Sequence, residues 1–349
     1  MLSLSYERLD YILSRIPDLR IAVIGDFFLD KYLVTDPAQS EISVETGLEA
    51  RQVVEVRCSP GAAGTVTNNL AALGVRTIHA LGVVGDDGEG YELLRGLRER
   101  GVQTGQLLQS RERFTPTYTK PMVRTDGSEV ELERLDIKNR AALSDEWSHR
   151  IVETLESVLE PGDDRVHAIV VMDQVQERDC GSVTDVVRDK LRQLAESNPD
   201  VLFFADSRAR IGEYRNVVVK PNGVEAARVL NPDWSEDTPT PQANEIGCEL
   251  SKRTGKTVYL TAGENGIFVC DSNSAEHAAT LPAEGPIDIV GAGDSTTAGI
   301  VCGLCAGASP LEAAGLGNLC ASVTIRKLGT TGTASPDELR YRFENSSQS

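Results

Sequence analysis

From residue 144 onward, helix-period and strand-type stretches follow one another with little between them. This alternation constrains the fold more than any other feature of the chain. Helices are predicted over 144–159, opened by Ser144 as a cap, over 182–196 and over about 241–254. Short apolar runs at 167–172, 201–205, 216–219, 256–261 and 265–270 read as strands, and a further helix opens near Asn222. Two long helices rich in small apolar residues follow at about 293–307 and 310–326. Such alternation requires a mainly parallel sheet with helices on both faces.

The first part of the chain starts in the same way and then changes texture. Leu4, Leu9, Ile12, Leu13 and Ile16 recur at helical spacing, so 3–17 forms an amphipathic helix, and Arg20–Gly25 is an apolar run of the buried-strand type. In 33–57, pieces such as 52–57 alternate apolar and polar positions, as half-exposed strands do. In 115–136, segments 117–120 and 130–135 flank the turn signal Asp126-Gly127. The two patches together predict a small β-sheet lid over the carboxyl edge of the large sheet, where open α/β sheets bind ligands. No internal repeat, low-complexity block or long linker intervenes. Residues 1–349 therefore read as a single domain with the lid, 33–57 and 115–136, inserted in it, ending in a polar tail at 343–349.

Charge excludes some partners. Lys and Arg number 35 against 53 Asp and Glu, a net −18, and such a surface repels polyanions. Nucleic acid and anionic membrane are not expected partners, and a phosphorylated ligand needs a local basic pocket working against the global field. No apolar stretch approaches the ~18 residues that cross a bilayer, and Glu7 and Asp10 lie where a signal peptide needs an apolar run. The seven scattered cysteines suit reduced thiols, and a cytoplasmic location is the expectation. Cys302 and Cys305 have C-x-x-C spacing, but they lie in an apolar helix with no second pair nearby, which favours packed thiols over a redox or zinc site.

The sharpest chemical signal is Asp288-Ile-Val-Gly291-Ala292-Gly293-Asp294-Ser295. Two glycines leave the backbone bare at a helix start, where unpaired N–H groups and the dipole favour an anion such as a transferring phosphoryl group. Asp294 in that first turn is placed to take a proton from an attacking hydroxyl, and it equally suits a helix cap. In Lys220-Pro-Asn222-Gly-Val-Glu225, Asn222 and Glu225 share one side of a helix start, as oxygen ligands for magnesium or as a mutual cap. Thr261-Ala-Gly263-Glu-Asn-Gly266 joins two strands, either as a hairpin turn or as a nucleotide loop. Early in the chain, Gly25-Asp26-Phe-Phe-Leu-Asp30 carries a carboxylate past a strand end, and Pro60-Gly61-Ala62-Ala63-Gly64 opens a helix. Lys120 and Arg124 share one face of a lid strand, with Arg134 on its neighbour, either as a phosphate-binding cluster or as a solvated face paired with Glu131 and Glu133. Neither a G-x-x-x-x-G-K-[ST] loop nor a G-x-G-x-x-G fingerprint occurs, which disfavours P-loop and dinucleotide-binding readings.

In this order, from about residue 20 to 340, these pieces resemble the ribokinase-like (PfkB) carbohydrate kinases. The family's D-T-x-G-A-G-D signature matches Asp288–Asp294 with Ile289 for the usual Thr. The resemblance implies Asp294 as general base, Gly291, Ala292 and Gly293 as an anion hole, and Asn222 with Glu225 as organisers of magnesium and phosphate. Thr261, Gly263 and Gly266 resemble the nucleotide loop, and Asn318 the adenine side. Within the family, Gly25-Asp26-Phe-Phe-Leu-Asp30-Lys31-Tyr32 and 327–336 are similar to the heptose-phosphate kinase branch, which makes Asp30 the expected ligand of a substrate hydroxyl. The sugar-pocket signature P-G-G-A-A-N has Ala62 for its second Gly and Thr65 for its Asn, beside Gly61. The lid segment 41–47 lacks the Arg and two prolines of that branch.

The function so implied is transfer of the γ-phosphoryl of ATP, with Mg2+, to a hydroxyl of a sugar or sugar phosphate, a heptose 7-phosphate or a relative. The alternatives are a nucleoside kinase, whose stacking surface would draw on Phe27, Phe28, Tyr32 or Tyr118, and a non-catalytic sugar-binding regulator. The retained Asp294 argues against the regulator. A homodimer through the lid is also expected: a small sheet has two faces and only one can cover the sugar, and related kinases dimerise this way.

Overall fold

The computed structural model describes residues 3–125, 128–231, 233–234, 242–283, 285–329 and 331–346. The chain opens with α1 (Tyr6–Arg15), β1 (Arg20–Gly25), β2 (Phe27–Thr35), β3 (Glu41–Ile42), β4 (Glu49–Ala50), β5 (Val53–Ala62) and α2 (Ala63–Ala72). It continues through β6 (Thr77–Gly85), α3 (Gly88–Glu99), β7 (Leu107–Ser110), β8 (Thr117–Thr125), β9 (Ser128–Glu131), β10 (Leu135–Ile137) and α4 (Asp145–Ser157). Then come β11 (Ala168–Asp173), α5 (Asp185–Ser197), β12 (Leu202–Ser207), β13 (Val218–Val219), α6 (Gly223–Leu230) and α7 (Ala243–Thr254). The described chain ends with β14 (Val258–Thr261), β15 (Ile267–Cys270), β16 (Ala275–Ala278), α8 (Ala292–Cys305), α9 (Pro310–Thr324) and α10 (Pro336–Ser346).

The large sheet runs in the order β16-β15-β14-β13-β12-β11-β1-β6-β7. It is parallel from β7 to β14, and β15 and β16 add on antiparallel. Its strands are apolar on both sides because helices cover both. Ile21 and Val23 of β1 join one core cluster with α2, α8 and α9, while Ala22 and Ile24 join the other with α4, α5 and α7. Capping side chains set several helix starts. Ser144 accepts from the Trp147 N–H, and Thr184 from that of Val187.

The second sheet is the lid, ordered β10-β8-β2-β5, with β9 paired to β8. It is antiparallel except for the parallel β2–β8 pair. Its first strand begins at Phe27, earlier than the expected 33, because the chain passes from β1 into β2 through Asp26 alone. The turn expected at Asp126-Gly127 lies outside the described residues, as does the start of the helix expected from about 241. The expected polar tail is partly helical. α10 extends through 343–346, since Phe343 is buried and its ring lies 5.9 Å from that of Tyr6.

Candidate active site

A cleft of ≈ 590 Å³ lies between the lid and the carboxyl ends of β1, β11 and β12, and Asp294 lines it. The chain reaches this position through a tight turn. The Ala292 N–H donates to Ile289 O at 3.1 Å, and Gly291 adopts the left-handed φ of 80°. Only glycine fits there, because an added Cβ would stand 2.5 Å from Thr331 Cγ2. α8 then runs inward, buried from Ser295 to Gly303. Its opening N–H groups, those of Gly293 and Asp294 among them, have no intrahelical acceptor and point out of the helix start. Burial, together with the Asp206 carboxylate, pushes the Asp294 carboxyl up to about 7, against the pull of Lys220 and Arg208; Asp30 pushes it further up.

A charged pair that does not itself line the cleft lies close to Asp294. Lys220 Nζ pairs with Asp206 Oδ2 at 2.8 Å, both side chains being nearly buried. Burial works against the Lys220 charge, but Asp206, Glu225 and Asp294 outweigh it and hold the ammonium above its ordinary range. Lys220 Nζ also lies 3.7 Å from where a Cβ on Gly293 would stand, so a cation faces the helix start.

At the lid end, Asp30, Ala62, Thr65 and Lys120 line the same cleft. Asp30 Oδ1 and Lys120 Nζ are 3.5 Å apart. Burial raises the Asp30 carboxyl above its ordinary range, and Lys120 and Arg134 oppose this only in part. Gly61 packs directly against Asp30, whose Oδ2 would lie 2.4 Å from an added Cβ. Ala62 holds φ 53° and ψ −115°, a strained conformation for a residue with a Cβ. Phe28 and Tyr118 meet edge to face, with ring centroids 5.2 Å apart. Arg134, Lys138 and Arg208 also line the cleft, and the Arg134 guanidinium lies 4.5 Å from the Tyr118 ring.

Arg124 is not brought to the cleft. It is ion-paired on the lid with Glu55 and Glu129, Nη2 to Glu129 Oε1 being 2.8 Å, so the expected Lys120–Arg124 cluster is corrected to Lys120 with Arg134. Strand pairing decides this, because Arg124 stands directly opposite Glu129.

Asn222 and Glu225 form a reciprocal capping box on α6: Asn222 Oδ1 accepts from the Glu225 N–H at 2.9 Å, and Glu225 Oε2 from the Asn222 N–H at 2.8 Å. Burial and Asp206 raise the Glu225 carboxyl, against the Asn222 N–H, Lys220 and Arg208. Thr261 adjoins this helix start, its N–H bonding Pro221 O at 2.9 Å. Gly263 and Gly266 have φ of 56° and 81°, and an added Cβ at Gly266 would stand 2.2 Å from Ala278 O. Asn318 reaches the same segment, donating to Ala278 O at 2.8 Å and Ala279 O at 3.2 Å. Among the described residues, no three His, Cys, Asp or Glu side chains are grouped to hold a metal. A hydrated magnesium fits this chemistry better than a dry cage, since Glu225 and Asp206 offer hard oxygens near the α8 start and phosphate and water complete such shells. Cys302, Cys305 and Cys320 are packed thiols, and burial raises all three.

The model of the pfkB family carbohydrate kinases matches residues 20–338. The chain belongs to this family. It is 27% identical over 338 residues to the bifunctional protein HldE of Trichlorobacter lovleyi, covering 95% of this chain and 64% of that protein. With HldE of Methylobacillus flagellatus it is 31% identical over 316 residues, covering 89% and 60%. The chain thus spans a little under two thirds of the length of these two relatives. Its fold is that of Escherichia coli phosphofructokinase-2, with TM-score 0.68 at 20% identity over 94% of this chain and 100% of that one. Thermotoga maritima ribokinase gives 0.65 at 16% identity, again over 94% and 100%. Membership of a kinase family implies use of ATP with a metal ion. Among the described residues no helix is long and apolar enough to cross a membrane.

Sequence reasoning left Asp206, Arg208 and Lys138 unassigned, and quoted Lys220 without giving it a role. Asp206 had a usable signal, a carboxylate at the carboxyl end of a buried strand, where such sheets place ligands. Arg208 and Lys138 had none, because tertiary packing alone carries them to the cleft.

Proposed function

We propose that this kinase transfers the γ-phosphoryl group of ATP to a hydroxyl of an anionic sugar, a sugar phosphate of the heptose 7-phosphate type. One observation carries the reading. Asp294, at a bare helix start, shares a cleft with Asp30 and with Lys120, Arg134, Lys138 and Arg208, in a chain of net charge −18. These cations share the lining with the carboxylates of Asp26, Asp30, Glu131, Glu177 and Asp294, and they offer an anionic acceptor direct ion-pair partners. The HldE relatives, whose name belongs to heptose 7-phosphate chemistry, support the same class.

Asp30 accepts a hydrogen bond from one acceptor hydroxyl and orients the sugar. Asp294 takes the proton of a second hydroxyl as its oxygen bonds to the γ-phosphorus and the bond to the β–γ bridging oxygen breaks, releasing ADP. The open N–H groups at Gly293 and Asp294, with Lys220, stabilise the charge on the transferring group. Glu225 and Asp206 would hold the magnesium, which would supply charge neutralisation along the phosphates. Thr261, Gly263, Gly266 and Asn318 shape the nucleotide side.

The test is ADP release measured across a panel of heptose 7-phosphates, fructose 6-phosphate, ribose and nucleosides. Preference for a phosphorylated sugar is expected. Turnover only with nucleosides, or binding of a sugar without any turnover, overturns the reading.

A further inference from the structure

Between β11 and α5 the chain crosses the cleft wall as an irregular segment, 174–182, and seven of its nine residues line the cleft. An unstructured segment of this length would ordinarily be mobile. Here three charged side chains, none of them on the segment, hold its backbone. Asp26, buried at the junction of β1 and β2, accepts at Oδ2 from the N–H groups of Gln174 at 2.8 Å and Val175 at 2.9 Å. Its Oδ1 accepts from the Ser182 N–H at 2.8 Å, so one carboxylate ties both ends of the segment. Gly181 allows this approach, since an added Cβ there would stand 2.4 Å from Asp26 Oδ1.

The carbonyls are held from the other side. Arg210 donates from Nη1 to Gln176 O at 2.9 Å and from Nη2 to Val175 O. Arg210 is itself buried and fixed by Asp173, with Nη2 to Oδ1 at 2.6 Å and Nε to Oδ2 at 3.2 Å. Arg113 bridges the segment to the lid side, donating from Nη1 to Ala141 O at 2.6 Å and from Nη2 to Cys180 O. All of these are charge-assisted hydrogen bonds, the stronger class. The nucleotide-side residues Thr261, Gly263, Gly266 and Asn318 do not line this cleft, so whatever the segment positions is on the acceptor side.

We propose that Asp26, Arg113 and Arg210 are positioning residues for the acceptor: they clamp the backbone of 174–182 from both sides, which sets where Gln174, Gln176 and Glu177 meet the sugar. The proposal rests on the kinase reading above for the identity of the ligand, while the clamp itself stands on geometry. Asp26→Asn keeps the shape but replaces one acceptor oxygen by an NH2 group, leaving either the Ser182 N–H or the Gln174–Val175 pair without an acceptor.

Hydrogen exchange and steady-state kinetics on the full chain, with a heptose 7-phosphate as acceptor, form the test. Asp26→Asn and Arg210→Met should each speed exchange across 174–182 by about tenfold or more, with β11 and β12 unchanged. Acceptor KM should rise by about ten- to a hundredfold, and ATP KM should stay within about twofold. Arg210→Lys should recover part of both effects. If a buried variant fails to fold, Arg113→Met at the cleft edge is read in the same way. Unchanged exchange in 174–182, or equal shifts in both KM values, overturns the clamp. A parent protein inactive on every sugar overturns the functional reading instead, and exchange still decides whether the clamp exists.

Discussion

Asp294 sits between opposing fields. Burial and the Asp206 and Asp30 carboxylates raise it, Lys220 and Arg208 lower it, and the outcome of about 7 suits a base working near neutrality. The kcat/KM profile should therefore climb with pH through about 7 and level off above it. Asp294→Asn should lower turnover by about 10²–10⁴-fold with little change in ATP affinity, since Asn still suits the first turn. Near-parental turnover of this variant would sink the assignment. The same shift bears on stability. The unfolded carboxyl ionises near its ordinary 3.8 and the folded one near 7, so the folded state loses ground as pH rises through that window. Melting curves should show Asp294→Asn gaining on the parent more at pH 8 than at pH 5, and an equal gain at both would contradict the raised value.

At the scale of elements, the start of α6 holds its cap and its proposed metal role in the same two side chains. Glu225→Gln separates them, because the amide oxygen can still accept from the Asn222 N–H while the charge is gone. Magnesium titration of turnover should then need a higher midpoint, with thermal stability nearly unchanged; superimposable titrations would leave only the cap. The lid strands give a second contrast. Arg134, ion-paired with Asp136 through two hydrogen bonds, lies over Tyr118 at the cleft, whereas Arg124 pairs with Glu55 and Glu129 outside it. Arg134→Ala should raise KM for a phosphorylated acceptor and leave a neutral sugar unaffected, while Arg124→Ala should change neither. The opposite ranking of the two variants would return the phosphate to the outer face.

For the whole molecule, the lid leaves apolar side chains uncovered. Val56 on the edge strand β5 is 56% exposed and Leu135 on the opposite edge strand 55%, with Val53, Val54 and Val130 also exposed. An exposed edge of this kind invites pairing, and a two-fold clasp of two lids would bury these residues and satisfy the free strand edges. We therefore expect light scattering at micromolar concentration to give about twice the 37.7 kDa chain mass. Val56→Asp should split the dimer and raise sugar KM more than ATP KM, because the lid carries Asp30 and Lys120. A fully active monomer would rule this out.

What the sequence determined by itself was local or periodic. The alternation after residue 144 was enough for a mainly parallel sheet, since a strand buried on both faces must be apolar throughout and a helix on its surface must repeat every 3.6 residues. Gly291 and the Asn222–Glu225 box were legible because a turn and a cap are made by residues within four positions of one another. Residues 77–85, 88–99, 107–110, 275–278 and 336–346 went unassigned as elements, although they form β6, α3, β7, β16 and α10. The Arg124–Glu129 pair is local to the β8–β9 hairpin, but tertiary structure alone decided that Arg124 also meets Glu55 while Arg134 meets the cleft, because the long-range registers of β2 with β5 and β8 choose those neighbours. It also brought Asp206 and Lys220 together beneath Asp294, and Asp26 onto both ends of 174–182. Those pairings join residues up to 156 positions apart, and no local propensity or periodicity encodes a contact that exists only once the sheet has formed.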